Sequence, residues 1–195
     1  MIKIGILAPN NYEEITKTFL DIFKANHIIA AIKNNSKDIK NKIAFLEKNK
    51  IEYVLIIFEK HLIYPIELDI LILDNAPNTR LVTYSLIECI SEKTILIYNT
   101  DNGYLPKLDH PNAIDYGFSQ NSSVTVSSIN YFPDAKSFIL YIQHTIYNPF
   151  CKDISISEFP ITSINNYEIS SQLPAVITAL LFDIPICKSR NKLRI

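Results

Sequence analysis

Polar side chains with ligand-binding chemistry follow three apolar segments of this chain. They are amides and carboxylates, which can hydrogen-bond to a sugar, a nucleotide base or an amine. If the three segments are parallel strands, their carboxyl ends share one edge of a sheet, where ligands bind in open α/β folds. We therefore predict a small-ligand or cofactor cleft at this edge. The predicted residues are Asn10, Asn11, Asp74, Asn75, Asn99 and Asp101.

Structural interpretations of the same residues stay open. Asp74 and Asn75 could simply begin the turn at Pro77, and Asp101 could cap the turn that follows Asn99. The four histidines are scattered, without an H-E-x-x-H motif or the spacing of a catalytic triad. No cysteine pair has the spacing of a zinc site. We predict no catalytic residue and no metal site.

The composition excludes several classes of protein. The net charge is −1, which gives no electrostatic case for nucleic-acid binding or for an anionic membrane surface. No apolar stretch is long enough to span a membrane, and the start of the chain does not resemble a signal peptide. Three widely spaced cysteines suit reduced, mostly buried thiols. We therefore expect a cytoplasmic protein.

Glycine is scarce, and this limits phosphate binding. The chain has only 3 glycines, and neither G-x-G-x-x-G nor G-x-x-x-x-G-K-[ST] occurs. The loop after the first apolar segment contains no glycine and no lysine, and Glu13 and Glu14 stand where the next helix should begin. A helix N-terminus at that place is the usual phosphate site of α/β proteins. We therefore predict the strand, loop and helix of a phosphate site, but not the glycine and lysine residues that would bind the phosphate.

The order of apolar patterns predicts the fold class. Short apolar runs alternate with segments of helical periodicity, which is typical of a doubly wound, mainly parallel sheet. The runs predicted as strands are 2–7, 28–32, 53–58, 68–73 and 94–98, and the predicted helices are 13–25, 36–49, 79–90 and 170–182. The prediction is a Rossmann-like α/β fold with a small antiparallel β extension.

The chain reads as one unit of 195 residues with three parts. Residues 1–112 form the predicted parallel α/β core. Residues 113–160 are β-rich, with a hairpin loop at 131–136, and form the predicted small antiparallel sheet. Residues 161–195 contain the last helix and a basic tail.

The same motifs resemble the central, ATP-binding domain of the Mur ligase family. Ile4-Gly-Ile-Leu-Ala-Pro-Asn-Asn-Tyr-Glu-Glu-Ile-Thr16 resembles that family's phosphate loop, I-G-I-T-G-T-N-G-K-T-T-T. In this register Asn10 retains the family's asparagine. Asn11 replaces the second glycine, Tyr12 replaces the catalytic lysine, and Glu13 replaces the threonine that contacts magnesium.

The resemblance extends over nearly the whole chain in short segments. Residues 68–75 are similar to the family strand "fDiaVlTN", and residues 95–102 to "avlNaDD". Residues 114–119 are similar to "itYGf". Residues 164–180 are similar to the family segment "G-x-H-N-x-x-N-a-l-A-A-i", but the glycine and the histidine of that segment are missing in this chain. Glu59 lies near the position of a magnesium-binding glutamate, but a solvated surface loop is the favoured interpretation.

The resemblance implies ATP-dependent ligation, which we expect this chain to have lost. Family members phosphorylate a carboxylate with ATP and Mg²⁺, and an amine then attacks the acyl phosphate. That transfer depends on backbone N–H groups, a lysine and a metal ion, several of which are replaced here. We therefore expect neither ATP nor Mg²⁺ as cofactor, and a binding or regulatory module in cytoplasmic cell-wall or amino-acid-polymer metabolism.

Two other hypotheses remain open. The chain could be a divergent enzyme, or a nucleotide- or small-ligand-binding protein, that uses the same edge of the sheet. It could also be a subunit of a multi-chain ligase complex, with exposed aromatic residues such as Tyr131 and Tyr147 contacting the partner. The ligand and the protein partner are open, and a homo-oligomer is possible.

Overall fold

The computed structural model describes residues 1–25, 27–34, 38–58, 64–74, 88–101, 110–131, 136–162 and 167–186. Within these residues a single nine-stranded sheet runs in the order β2-β3-β1-β4-β5-β6-β7-β8-β9. The strands are β1 Ile2–Leu7, β2 Ile29–Asn34, β3 Tyr53–Phe58, β4 Ile70–Leu73, β5 Ile95–Asn99, β6 Ala113–Tyr116, β7 Val124–Tyr131, β8 Lys136–Ile142 and β9 Ser157–Thr162. The helices are α1 Tyr12–Phe23, α2 Ile39–Lys48 and α3 Ile169–Leu181.

Helices cover both faces of the parallel part of the sheet, which confirms the predicted α/β class. On one face, Ile4 and Ile6 of β1 lie in a core with buried residues of α1 and α3, such as Phe19 and Leu173. On the other face, the core contains Ile39 and other buried residues of α2. Central strands buried on both faces read as continuous apolar runs, because no position needs to be polar.

Gly5 of β1 is required by close packing. A Cβ at this position would lie 2.6 Å from Leu68 Cδ1 and 2.7 Å from Phe58 Cε2. The neighbours that approach β1 here are therefore side chains from β3 and from the segment just before β4. Any larger residue would push apart the core on this face.

The boundary between parallel and antiparallel strands differs from the prediction. The sequence placed residues 113–160 in a small antiparallel sheet, but β6 pairs in parallel with β5, from Leu96 opposite Ala113 to Asn99 opposite Tyr116. The antiparallel pairs are β7 with β8 and β8 with β9. They continue the same sheet, so the extension begins at β7.

Several smaller predictions also need correction. The sequence of residues 151–159 also predicts an edge strand, but the edge strand lies at Ser157–Thr162, and the segment before it contributes one isolated bridge between Ile146 and Ile154. The sequence predicts Pro174 near the first turn of the last helix, but it lies at the sixth position of α3. Cys89 is buried as expected, whereas Cys151 is exposed.

Other predictions fall outside the described residues. They are nearly all of the helix expected at 79–90, residues 132–135 of the hairpin loop expected at 131–136, the loop with Glu59, and the basic tail. In the parts of the chain that are described, no helix combines the length and the apolar character needed to cross a bilayer.

Candidate functional site

A cleft of about 680 Å³ opens at the carboxyl ends of β1, β4 and β5, between the N-termini of α1 and α3. This is the edge at which the sequence predicts a ligand. Its described lining combines the loop after β1 with the ends of β4 and β5, the turn after β6 and the start of α3. The lining residues are Asn10, Asn11, Tyr12, Glu13, Glu14, Asp74, Asn99, Asp101, Phe118, Glu168, Ser170 and Ser171.

The loop between β1 and α1 closes on itself. The backbone N–H of Tyr12 donates to the Ala8 carbonyl at 2.9 Å, and the N–H of Asn11 donates to the same oxygen at 3.3 Å. Phosphate loops bind anions through backbone N–H groups that point at the ligand. In this loop, two of the amides nearest the helix start are already bonded within the protein.

The floor of the cleft is built on the carboxylate of Asp74, which is fully buried. The side-chain amide of Asn11 donates to Asp74 Oδ2 at 2.6 Å, and the amide of Asn99 donates to Asp74 Oδ1 at 2.9 Å. The Asn11 amide nitrogen also lies 3.3 Å from Ser171 Oγ. These bonds join the ends of β1, β4 and β5 to α3, and they fix the orientation of both amides because a carboxylate can only accept.

Asp101 forms one side of the cleft and holds the turn after β6. Its backbone N–H donates to Asn99 Oδ1 at 2.9 Å, so Asn99 caps this turn. Both carboxylate oxygens of Asp101 accept the N–H of Phe118, each at 2.9 Å. A Cβ on Gly117 would lie 2.6 Å from Asp101 Oδ1, so only glycine allows this approach.

Tyr116 lies beneath the same floor with its whole side chain buried. Burial raises the pKa of its phenol well above the usual value of 10.0, and the nearby charge of Asp74 raises it further. Although Asp74 and Asn99 lie close to the phenol, its Oη makes no well-formed hydrogen bond. The neutral phenol therefore lies under the cleft, close to Asp74 and Asn99 but without a hydrogen bond of good geometry.

The electrostatic character of the cleft is acidic. Five carboxylates belong to its lining, and no lysine or arginine does among the residues that the structure describes. Glu13 and Glu14 lie in the first turn of α1, and Glu168 immediately precedes α3. Helix N-termini carry a partial positive charge that favours anions. At both helices this position is occupied by the protein's own carboxylates.

Five of the six residues predicted from the sequence line the cleft together. Asn75 lies outside the described residues. Glu168, Ser170 and Ser171 join them without having been predicted, since α3 is distant along the chain. Phe118 belongs to a motif noted in the sequence, but nothing local predicts that this residue, which is 48% exposed, lies beside the cleft.

Metal ligation and histidine chemistry find no support in the described part of the chain. No group of three or more His, Cys, Asp or Glu side chains there has the arrangement of a metal site. His27 lies beside Glu52 with 2.6 Å between Nδ1 and Oε2, and His110 contacts the Ser91 carbonyl. Both histidines lie outside the cleft lining.

Sequence comparisons find no match, whereas comparison of structures finds proteins with the same fold. No protein-family model matches the sequence, and no curated protein is significantly similar to it. The MurF ligase from Thermotoga maritima, in complex with ADP, matches with a TM-score of 0.62 and 14% identity over 95% of this chain and 46% of that chain. MurF from Acinetobacter baumannii matches with a TM-score of 0.62 and 11% identity, over 95% and 44%.

A third match is the folylpolyglutamate synthetase from Lactobacillus casei, with a TM-score of 0.51 and 9% identity over 95% of this chain and 59% of that chain. Identities this low show the fold alone. The chain therefore has a Mur-ligase-like α/β fold, and it spans about half the length of the structures it matches. The expected likeness to this family is confirmed at the level of the fold.

Proposed function

We propose that this chain is a Mur-ligase-like binding module that uses the cleft for a small ligand and does not carry out ATP-dependent ligation. The observation that carries the proposal is the acidic lining at the two helix N-termini. The proposed setting is cell-wall or amino-acid-polymer metabolism in the cytoplasm, because the fold neighbours include MurF and folylpolyglutamate synthetase. An exposed thiol such as Cys151 suits that reducing compartment.

Charge is the first argument against ATP. Two unit charges about 6 Å apart, at an effective dielectric constant of about 40 to 80, interact by about 0.7 to 1.4 kcal/mol. A triphosphate at the start of α1 would meet Glu13 and Glu14 with several negative charges of its own. The summed repulsion is a few kcal/mol, which corresponds to an affinity loss of about a hundredfold or more.

The missing donors are the second argument. Phosphoryl transfer requires positioned donors and cations on the transferring group. In the alignment with the phosphate loop of the Mur ligase family, Tyr12 occupies the position of the catalytic lysine. The Tyr12 Oη lies 3.3 Å from Glu13 Oε1. The N–H of Tyr12 is bonded to Ala8. Neither group is available to hold a phosphate without rearrangement of the loop.

Calorimetric titration with ATP and Mg²⁺ tests the proposal. We expect no binding of ATP to the native chain at millimolar concentration, and no formation of ADP on long incubation with amino acids. The variant Tyr12→Lys/Glu13→Thr restores the two family residues, and we expect its affinity for ATP to be at least about tenfold higher than that of the native chain.

A control variant separates local from general charge effects. Glu47→Gln removes an exposed carboxylate from α2, on the other face of the sheet, and we expect it to leave the lack of ATP binding unchanged. Micromolar affinity of the native chain for ATP and Mg²⁺ would overturn the proposed loss of nucleotide binding. Turnover of ATP would overturn the proposed loss of ligase activity.

A further inference from the structure

We propose that the ligand of the cleft is a small organic cation that carries one or more ammonium groups. This inference rests on the proposed function, since it names the ligand class of the same cleft. The first observation is the set of rim carboxylates. Glu13, Asp101 and Glu168 are all exposed and line the cleft from three different elements.

An unused acceptor in the floor points to the same class of ligand. Asn11 Oδ1 is buried and makes no hydrogen bond, while the amide nitrogen of the same side chain is fixed by Asp74. A carbonyl oxygen can only accept, so its missing partner is a donor. An ammonium group supplies three N–H donors and no acceptor.

The phenol of Tyr116 is a second, independent group of this kind. Its side chain is fully buried and its Oη lacks a well-formed hydrogen bond. Asp74, Asn99 and Asp101, which all line the cleft, perturb the pKa of this phenol, so the phenol lies beneath the cleft floor. A donor that reaches this floor would find an oxygen ready to accept.

Two aromatic side chains in the lining add further contacts that an ammonium group can make. Phe118 is 48% exposed in the lining, and Tyr12 lies at the start of α1 beside Glu13. Ammonium groups bind favourably against aromatic faces, and cages of aromatic and acidic residues recognise them in other proteins. An exposed phenylalanine that lines the same cleft as several carboxylates therefore suits an organic cation.

Size and geometry favour an organic cation over a metal ion. The cleft of about 680 Å³ has the volume of a small-molecule site. Metal ions need several ligands within about 2.5 Å of one point, and no such cluster of three or more acidic, cysteine or histidine side chains occurs in the described residues. The carboxylates are spread around the rim, as a ligand with separated ammonium groups requires.

Titration calorimetry of the native chain with spermidine and with 1,4-diaminobutane, at 50 mM NaCl, tests the proposal. We expect dissociation constants in the micromolar to submillimolar range for at least one amine. The neutral analogue 1,4-butanediol should not bind. Raising NaCl to 300 mM should weaken amine binding about tenfold, because screening reduces the attraction of exposed charges.

Matched variants locate the site. We expect Glu168→Gln and Glu13→Gln each to weaken amine binding about three- to tenfold, and Phe118→Leu about threefold. Glu47→Gln on α2 removes the same charge elsewhere and should leave the affinity unchanged. Backbone amide shifts in NMR spectra should concentrate at Asn10, Phe118 and Glu168.

Three results would overturn the inference: no binding of either amine at 5 mM, equal binding of the diol, or equal weakening by Glu168→Gln and Glu47→Gln. If Mg²⁺ alone bound more tightly than either amine, and Glu168→Gln abolished that binding, the ligand would be a metal ion and not an organic cation. These results are separate from the ATP titration. Binding of ATP would overturn the proposed function, whereas a chain that binds neither ATP nor amines would overturn only the ligand class.

Discussion

Substitution of Asp74 by alanine tests whether the buried carboxylate holds the cleft together. Asp74 is fully buried and accepts the amides of Asn11 and Asn99, at 2.6 and 2.9 Å. Removing the acceptor leaves two polar groups without their partner, at about 1 to 3 kcal/mol each. Relief of the desolvation of the buried charge offsets part of this loss. We expect a net destabilisation of about 3 kcal/mol.

Urea denaturation and thermal melting measure the effect. In a domain of this size, about 3 kcal/mol lowers the Tm by roughly 6 to 12 °C. The exposed control Glu47→Gln should change stability by less than about 0.5 kcal/mol. A double-mutant cycle between Asp74→Ala and Asn99→Ala should give a coupling energy of about 1 kcal/mol or more, because the two residues share a bond.

The reasoning would be refuted by a loss below about 1 kcal/mol for Asp74→Ala, or by additive effects in the double-mutant cycle. Either outcome would mean that water or another group replaces the carboxylate without cost. The connection between the ends of β4 and β5 would then come from the backbone ladder alone.

Two further predictions concern the turn and phenol beneath the cleft. Above pH 10 the unfolded phenol of Tyr116 ionises while the raised pKa keeps the folded one protonated, so stability present below pH 10 is lost as pH rises. The free energy of unfolding, measured by urea denaturation from pH 8 to 11, should fall with pH less steeply in Tyr116→Phe than in the native chain, by up to about 1.4 kcal/mol per pH unit. Equal slopes would contradict the burial of the phenol. Gly117→Ala should cost about 1 to 3 kcal/mol, because the new Cβ would meet Asp101 Oδ1 at 2.6 Å. Asp101→Ala should remove only part of that cost when combined with it, because Thr100 Oγ1 would still lie 2.8 Å from the new Cβ. Fully additive losses would argue against the contact with Asp101.

The fold could be predicted where a strand is buried on both faces. The bounds predicted for β1 and β3 agree with the structure at both ends, since Tyr53–Phe58 is an uninterrupted apolar run and Ile2–Leu7 is apolar apart from Lys3. The partner of β6 could not be predicted. Its alternation of half-buried and buried residues is typical of an antiparallel edge, and only the three-dimensional structure shows that it pairs in parallel with β5.

The candidate site was partly predictable for a topological reason. Carboxyl ends of parallel strands share one edge, so Asn11, Asp74 and Asn99 were expected to meet, and they do. The sequence could not predict how deeply each of these residues is buried, because the burial of Asp74 depends on the packing of α3 against the loop after β1. The same docking brings in Glu168, whose local sequence has no feature of a ligand site.

The acidic cleft follows from the way this fold directs two helices at one place. The N-termini of α1 and α3 meet at the sheet edge, and their partial positive charges favour an anion there. Carboxylates at Glu13, Glu14 and Glu168 supply that anion from within the protein. Each carboxylate has a full charge and the helix end only about half of one, so the lining that the structure describes becomes negative. The fold determines where the cleft lies, while in our proposal these three side chains reverse the sign of the charge that its ligand carries.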